Sequence, residues 1–179
     1  MISKNVTLIV CLFFISFLQA QKDGKDYGII KAGIELKSMQ SHIKNLSNYS
    51  KNIITGNPTE ISLRVNSKKA RETTLDIDSK FNTTKLEIIK SESEYLTLKK
   101  VDAFPVELKT KKRKMLDYIK KARNKNNSLK YKFYNINKSK NIFLESGRRS
   151  KVISEDGKNL IWYYQNIVKL YGEYLNLYK

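Results

Sequence analysis

The sequence is poor in the residues that build disulfides, thiolate metal sites and acid–base catalysts. It contains one cysteine, Cys11, and one histidine, His42, among 179 residues. Cys11 lies inside the apolar N-terminal run, so a chain cleaved after that run has no cysteine, and both a disulfide framework and a thiolate metal site are excluded. A carboxylate di-metal site in a helical bundle needs two Glu-x-x-His pairs. One histidine cannot supply both pairs.

Motifs that carry enzyme chemistry are also missing from the sequence. It has no glycine-rich phosphate loop, no Gly-x-Ser-x-Gly and no His-Glu-x-x-His. No acidic residue lies three or four positions from His42 on the same predicted helix. We therefore predict that the protein is not an enzyme and that it has no catalytic residue, no metal and no cofactor.

Residues 1–20 have the organisation of a cleavable signal peptide. Lys4 supplies the positive charge, Val6 to Leu18 form a short apolar run, and Ala20 is a small residue at the cleavage point before Gln21. This run is shorter than the ~20 residues that span a bilayer, and no second one follows, so we predict no transmembrane segment in the mature chain.

The end of this leader, residues 17–21 (Phe-Leu-Gln-Ala-Gln), resembles signal peptides of Gram-negative bacteria of the Bacteroidota group. That resemblance covers the leader only. It implies export to the periplasm or the cell surface, and secretion is the alternative.

Glycine and proline are scarce, and their spacing favours long helices. The chain has 7 glycines and 2 prolines, and none lies between Thr59 and Phe104. A sheet protein needs a turn about every 8–12 residues. With Gly147 and Asp156-Gly157 taken as further breakers, residues 21–179 are predicted to form a single helical domain. Its helices are expected at about 27–54, 60–103, 106–146 and 158–178.

Each predicted helix carries apolar residues in steps of three and four, which is typical of an amphipathic helix. These stripes are Ala32, Leu36, Met39, Ile43, Leu46 and Ile53; Ile77, Phe81, Ile88, Tyr95 and Leu98, interrupted by Thr84 and Ser91; every seventh residue in Leu108, Met115, Ala122, Leu129, Ile136 and Phe143, with Ile119 and Phe133 in alternate places beside them; and Leu160, Tyr164, Ile167, Tyr171, Tyr174 and Tyr178. Four such helices bury their stripes against one another. The fold class predicted is mainly α, an elongated antiparallel helical bundle or coiled-coil-like stalk.

One segment favours a different fold. Apolar and polar residues alternate in residues 61–65, and Leu96 and Leu98 flank Thr97, a pattern typical of strands. The alternative fold is α+β, with a small antiparallel sheet in residues 59–101.

Positive charge is concentrated in residues 109–151, which hold 16 Lys/Arg against 2 Asp/Glu. The formal net charge of the whole chain is +18. Clustered cations with tyrosines among them, here Tyr118, Tyr131 and Tyr134, can neutralise phosphates while the rings stack on bases or sugars. Candidate anion-binding residues are Lys109, Lys111, Lys112, Arg113, Lys114, Lys120, Lys121, Arg123, Lys125, Arg148 and Arg149. The alternative is a basic face that is only solvated.

Aromatic residues are concentrated at the C-terminal end, and a second set of candidates lies there. Tyrosine and tryptophan give large contact areas with a polar tip and are enriched at interfaces. Candidate partner-docking residues are Trp162, Tyr163, Tyr171, Tyr174 and Tyr178. The alternative is a wide helix face that closes the bundle.

Two functions are consistent with these features. The first is an exported, non-enzymatic helical interaction or structural component of a cell-envelope assembly, such as a secretion or transfer apparatus, with a protein partner in the envelope. Self-association is also possible for such a component. The second is a secreted binder of anionic polymers, DNA or lipopolysaccharide, through the basic segment 109–151.

Export can be tested directly on the natural product. Mass spectrometry of the protein from its own cells should find an N-terminus at Gln21 or within a few residues of it, because cleavage follows a small residue after the apolar run. A cytosolic protein that retains Met1 would contradict the prediction.

Overall fold

The computed structural model describes residues 28–178, so the predicted signal peptide at residues 1–20 lies outside the described part of the chain. Four α-helices follow one another: α1 (Gly28–Ile54), α2 (Glu60–Lys99), α3 (Val106–Lys138) and α4 (Ile142–Tyr178). None of the described residues forms a strand. The all-helical prediction is therefore confirmed, and the alternative of a sheet in residues 59–101 is wrong.

The turns use the breakers that the sequence offers. The first turn contains Gly56, which has a φ of +83°, and Thr59 then caps α2 by accepting a hydrogen bond from the Ser62 backbone N–H at 3.2 Å. Lys100, the residue that follows α2, adopts a left-handed conformation with φ of +52°. The helix therefore ends at Lys99 and not at residue 103 as predicted.

The helices form an antiparallel bundle that closes on itself. Helix α1 packs on α2, α2 on α3, α3 on α4, and α4 returns to contact α1. The longest helix, α2, has 40 residues and so spans about 60 Å at 1.5 Å per residue.

The four apolar stripes form one core, as the periodicity predicts. Leu36, Ile77, Met115 and Ile167 are fully buried representatives of the four helices. Of the alternating residues 61–65 only Leu63 is buried, whereas Ile61 is 76% exposed. Helical and not strand periodicity therefore decides which side chains face the core.

The boundary between the last two helices differs from the prediction. The sequence predicts that α3 reaches residue 146 and that α4 begins at 158, but the break lies at residues 139–141. Asn141 caps α4 by accepting a hydrogen bond from the Leu144 N–H at 3.1 Å. The stripe of α3 ends accordingly, and Phe143, the next residue in its heptad spacing, is 53% exposed.

The two glycines taken as breakers lie inside α4. A Cβ added at Gly147 or at Gly157 would meet no atom within 4 Å. Glycine lowers helix propensity by only about 1 kcal/mol relative to alanine. Packing of the stripe that includes Ile153 therefore carries the helix through both positions.

Buried tyrosines of α4 bind the backbones of α1 and α2. The Tyr164 hydroxyl donates to the Leu36 carbonyl at 2.8 Å, and the Tyr171 hydroxyl donates to the Ile29 carbonyl at 2.6 Å. Gly33 permits the second contact, since a Cβ there would lie 2.8 Å from the Tyr171 ring carbon Cζ. These hydrogen bonds fix the axial register of α4 relative to α1.

The same helix reaches α2 near its C-terminal end. The Tyr178 hydroxyl donates to the Ser91 carbonyl at 2.9 Å, and the Tyr174 hydroxyl is hydrogen-bonded to Ser91 Oγ at 2.7 Å. Burial raises the pKa of Tyr174 to about 12, and burial raises the pKa values of Tyr164 and Tyr171 as well. These hydroxyls stay protonated at neutral pH.

Tyr171→Phe should lower the free energy of unfolding by about 1 kcal/mol, since it removes one buried hydrogen bond. The raised pKa of Tyr171 means that its contribution is complete below the ordinary tyrosine pKa of about 10 and is lost as the pH rises above that value. Urea denaturation followed by circular dichroism between pH 7 and pH 11 should show a steeper alkaline loss for the wild type than for the variant. The control is Tyr131→Phe, whose side chain is 64% exposed. Equal losses in the two variants would contradict the prediction.

Candidate functional site

The basic residues of α3 are divided among three directions around the helix. Some point toward α2, some toward α4, and the rest point to solvent. The apolar stripe through Leu108 and Met115 fills the fourth direction, toward the core. The candidate anion-binding residues therefore do not form one set.

Toward α2, two cations of α3 form interhelical ion pairs. Lys112 Nζ lies 2.8 Å from Glu92 Oε2 and donates to the Ile89 carbonyl at 2.9 Å. Arg123 donates from Nε to Asp78 Oδ1 at 2.9 Å and from Nη2 to Asp78 Oδ2 at 3.3 Å. Lys112 has only 11% of its side chain exposed, so it is part of the helix packing and is not free to bind a ligand.

Toward α4, the central contact is the buried carboxylate of Asp156. It lies 3.0 Å from Lys125 Nζ and 3.1 Å from Lys132 Nζ. Burial alone would raise the pKa of Asp156, but hydrogen bonds from Ser128, Lys125 and Lys132 hold it below its usual value. Lys132 was not among the predicted residues, because nothing in the local sequence indicates that Asp156 lies beside it.

Three further candidates have acidic partners. Lys111 Nζ lies 2.7 Å from Glu173 Oε2 of α4. Lys121 pairs with Asp117 one turn away at 2.8 Å, and this hydrogen bond and charge raise the pKa of Lys121. Arg149 pairs with Glu145 within α4. The last two pairs are local and contribute little to the interhelical packing.

Five of the candidates have no ion pair within residues 28–178: Lys109, Arg113, Lys114, Lys120 and Arg148. All five are exposed. The first four lie within 11 residues of one another on α3, about 17 Å along the axis, whereas Arg148 belongs to α4. The structure thus reduces the predicted anion-binding set to one local group on α3.

The predicted docking aromatics are also divided by burial. Tyr171 and Tyr174 are 0% exposed and Tyr178 is 5% exposed. Their assignment to a docking surface is wrong, because these rings fill the core and their hydroxyls bind neighbouring helices. Trp162, at 50% exposure, remains on the surface, and Tyr163 is half-buried.

Trp162 and Tyr163 form an aromatic cluster with Tyr118 of α3. The ring centroid of Tyr118 lies 5.7 Å from that of Trp162 and 5.8 Å from that of Tyr163. The centroids of Trp162 and Tyr163 are 5.1 Å apart. Most of these contacts are edge-on, the geometry that aromatic pairs prefer. Lys114 Nζ lies 6.0 Å from the Tyr118 ring centroid. The cluster joins residues that are 44 positions apart, a relation that periodicity alone does not reveal.

We call the combination of this cluster with the neighbouring unpaired Lys114 the aromatic–basic surface; it comprises Tyr118, Trp162, Tyr163 and Lys114. Arg113 and Lys120 lie on the outer side of α3, because at 3.6 residues per turn they are roughly 140–160° around the helix from Tyr118. A half-exposed tryptophan held by two tyrosines, with the positive charge of Lys114 beside them, is suited to binding, since little side-chain freedom is left to lose.

Side chains that could hold a metal are dispersed over the bundle. No cluster of three or more His, Cys, Asp or Glu side chains occurs among the described residues. His42, 30% exposed, places its Nδ1 3.6 Å from Asp76 Oδ2 of α2. No helix in the described range is long and apolar enough to cross a membrane.

Comparison with known proteins gives no relative from which a role could be transferred: no family model, no curated protein and no solved structure matches the chain.

Asp156→Asn should destabilise the bundle by about 2 kcal/mol, less than the ~3–5 kcal/mol for a fully buried pair because Lys125 is partly solvated. The depressed pKa means that the contribution of Asp156 is present above the ordinary aspartate pKa of about 3.9 and disappears as the pH falls below it. Urea denaturation between pH 2 and pH 7 should therefore show a shallower acid loss for the variant. Asp117→Asn, which removes an exposed pair, is the control and should cost less than about 0.5 kcal/mol. A similar small effect at both positions would refute a stabilising role for Asp156.

Proposed function

We propose that the protein is an exported, non-enzymatic interaction component of a cell-envelope assembly, such as a secretion or transfer apparatus. It binds a protein partner through the aromatic–basic surface. The observation that carries this proposal is the half-exposed Trp162, packed edge-on against Tyr118 and Tyr163. Tryptophan, tyrosine and arginine are the residues that most often dominate the binding energy of interfaces.

The charges around the cluster specify the partner's chemistry. Lys114 beside the cluster, and Arg113 and Lys120 on the outer side of α3, have no acidic partner in the described chain. An acidic rim on the partner would pair with Lys114 and would be attracted by the other two charges. Rim charges mainly set the association rate and its salt dependence, while the buried anchor sets the dissociation rate. A partner with an apolar pocket for Trp162 and carboxylates around that pocket fits both features.

Export and an envelope location are supported by the signal-peptide organisation of residues 1–20. The non-enzymatic role is supported by the paired state of Asp156 and Glu87, the two buried carboxylates of the described residues, which bind lysines and stabilise helix packing. The signal-peptide organisation, the paired carboxylates and the aromatic–basic surface together fit an exported interaction component.

A second candidate function, binding of an anionic polymer such as DNA or lipopolysaccharide, is favoured by the same unpaired cations together with Tyr131. This tyrosine is 64% exposed on the outer side of α3, and Lys130 Nζ lies 5.2 Å from its ring centroid. Exposed rings beside cations can stack on bases or sugars. The two functions differ in whether Trp162 enters a protein interface.

One set of variants tests both. Arg113→Gln/Lys114→Gln/Lys120→Gln removes three unpaired charges without breaking an ion pair. The control Lys44→Gln/Lys68→Gln/Lys85→Gln removes the same charge from exposed positions of α1 and α2. Replacement of Trp162 by a photoreactive phenylalanine analogue in the protein's own cells should give a discrete protein cross-link. The same replacement at Tyr131 should give none.

The expected result is that the cross-link at position 162 weakens about tenfold in the first triple variant and persists in the control. Absence of a protein adduct at Trp162 would refute the docking proposal. For the second candidate function, the wild type and the variants are titrated with duplex DNA and with lipopolysaccharide. If the polymer binds through these cations, the triple variant should reduce the slope of log K against log salt by roughly 0.9 for each phosphate that is no longer neutralised. An unchanged slope would remove that candidate.

A further inference from the structure

A groove opens between α1 and α4 in the half of the bundle where no tyrosine joins the two helices. The Tyr164 hydroxyl donates to the Leu36 carbonyl of α1, and the groove lies beyond that point, toward the C-terminal end of α1. The groove has a volume of about 290 Å³ and lies between Ile43 to Thr55 of α1 and Ile153 to Ile161 of α4. This volume is near the lower end of the ~300–1,000 Å³ typical of small-molecule sites.

The lining of the groove is apolar at its base and basic at its sides. Ile43, Leu46, Ile153 and Leu160, all buried, contribute to the lining together with half-buried Ile54 and Ile161. Lys51 of α1 and Lys158 of α4 also line it, both are exposed, and no acidic residue does. Neither lysine has an ion-pair partner within residues 28–178.

Small residues keep the groove open. Ser47, Ser50 and Ser154 line it together with Gly157, where an added Cβ would meet no atom within 4 Å. Ser50 satisfies its own hydroxyl by donating to the Leu46 carbonyl at 2.7 Å. The groove therefore needs no polar ligand group at its base, and an aliphatic chain can occupy it.

We infer that this groove binds a single-chain fatty acid, with the hydrocarbon chain along the isoleucine and leucine side chains and the carboxylate paired with one of the two lining lysines, Lys51 or Lys158. At ~30 Å³ for a group of about the size of a water molecule, the groove holds roughly ten methylene groups. Positive charge on both sides and the absence of acid from the lining select an anionic head group. The groove shares no residue with the aromatic–basic surface, so the inference is independent of the proposed function.

The test is calorimetric titration of the purified mature chain with decanoate, with decanol and decyltrimethylammonium as uncharged and cationic ligands of equal chain length. Decanoate should bind about tenfold more tightly than decanol, and the cation should bind least. Each methylene added between hexanoate and decanoate should raise the affinity about twofold to fourfold. Equal affinity for the anionic and the cationic ligand would overturn the inference, as would failure of decanoate to bind.

Gly157→Leu supplies the blocking variant. The leucine side chain points into open space in the groove, and a leucine is a better helix former than the glycine it replaces. Decanoate affinity should fall at least tenfold while the thermal midpoint stays at or above that of the wild type. The matched control is Gly147→Leu, the same change in the same helix at an exposed position outside the groove, and it should bind as the wild type does.

Lys51→Gln/Lys158→Gln tests the head group without filling the groove. It should lower decanoate affinity about tenfold and leave decanol unchanged, whereas Lys44→Gln/Lys151→Gln should leave both unchanged. Wild-type affinity in this double variant or in folded Gly157→Leu would overturn the inference. Vesicles of anionic phospholipid form the last arm. If vesicles bind equally to the wild type and to Gly157→Leu while decanoate does not bind, the basic charge acts on a membrane surface and the groove is not a fatty-acid site.

Discussion

The hydrogen bonds from the tyrosines of α4 to the backbones of α1 and α2 are the contacts on which the rest of the bundle depends. Three phenol hydroxyls donate to the carbonyls of Leu36, Ile29 and Ser91. Residues 28–178 contain no cysteine, so no disulfide closes this part of the chain. Burial of apolar side chains and these hydrogen bonds hold the bundle together. They also explain why closure is uneven. The tyrosines that make these bonds begin at Tyr164, and the groove between α1 and α4 lies on the other side of that contact.

Part of the basic segment serves the structure. Lys111, Lys112, Arg123 and Lys125 each bind a carboxylate of a neighbouring helix, and this reduces the number of cations available for recognition. A large excess of positive charge in one segment is thus compatible with a narrow binding surface. One of the unpaired cations, Lys114, lies beside the aromatic cluster that contains the one tryptophan of the sequence.

The sequence predicted the core better than the surface, and there is a physical reason for the difference. Periodicity reports which side of a helix is apolar, so residues such as Leu36 and Ile167 were placed correctly. It does not report which helices are neighbours, and the pairing of Asp156 with Lys132 or of Tyr118 with Trp162 depends on that. The docking prediction for Tyr171 was wrong for a similar reason. A ring with a hydroxyl suits an interface, but the Tyr171 hydroxyl donates to the Ile29 carbonyl inside the bundle. The helix break was missed because caps such as Asn141 are weaker signals than glycine.

The buried amide of Asn126 determines how α3 can slide along its neighbours. Leu108, Met115, Ala122, Leu129 and Ile136 repeat every seven residues, so a shift of α3 by seven positions would again place apolar side chains in the core. Asn126 breaks that equivalence. Its amide donates to the Thr74 carbonyl at 2.7 Å, while its buried carbonyl oxygen has no partner in the described structure. A shift of one heptad would put this amide where Ile119 or Phe133 now lies, with both polar ends unsatisfied, a cost of about 1–3 kcal/mol for each group. Asn126 therefore specifies the register of α3. Its unpaired carbonyl oxygen lowers the stability of the native register, but a shifted register would lose more stability.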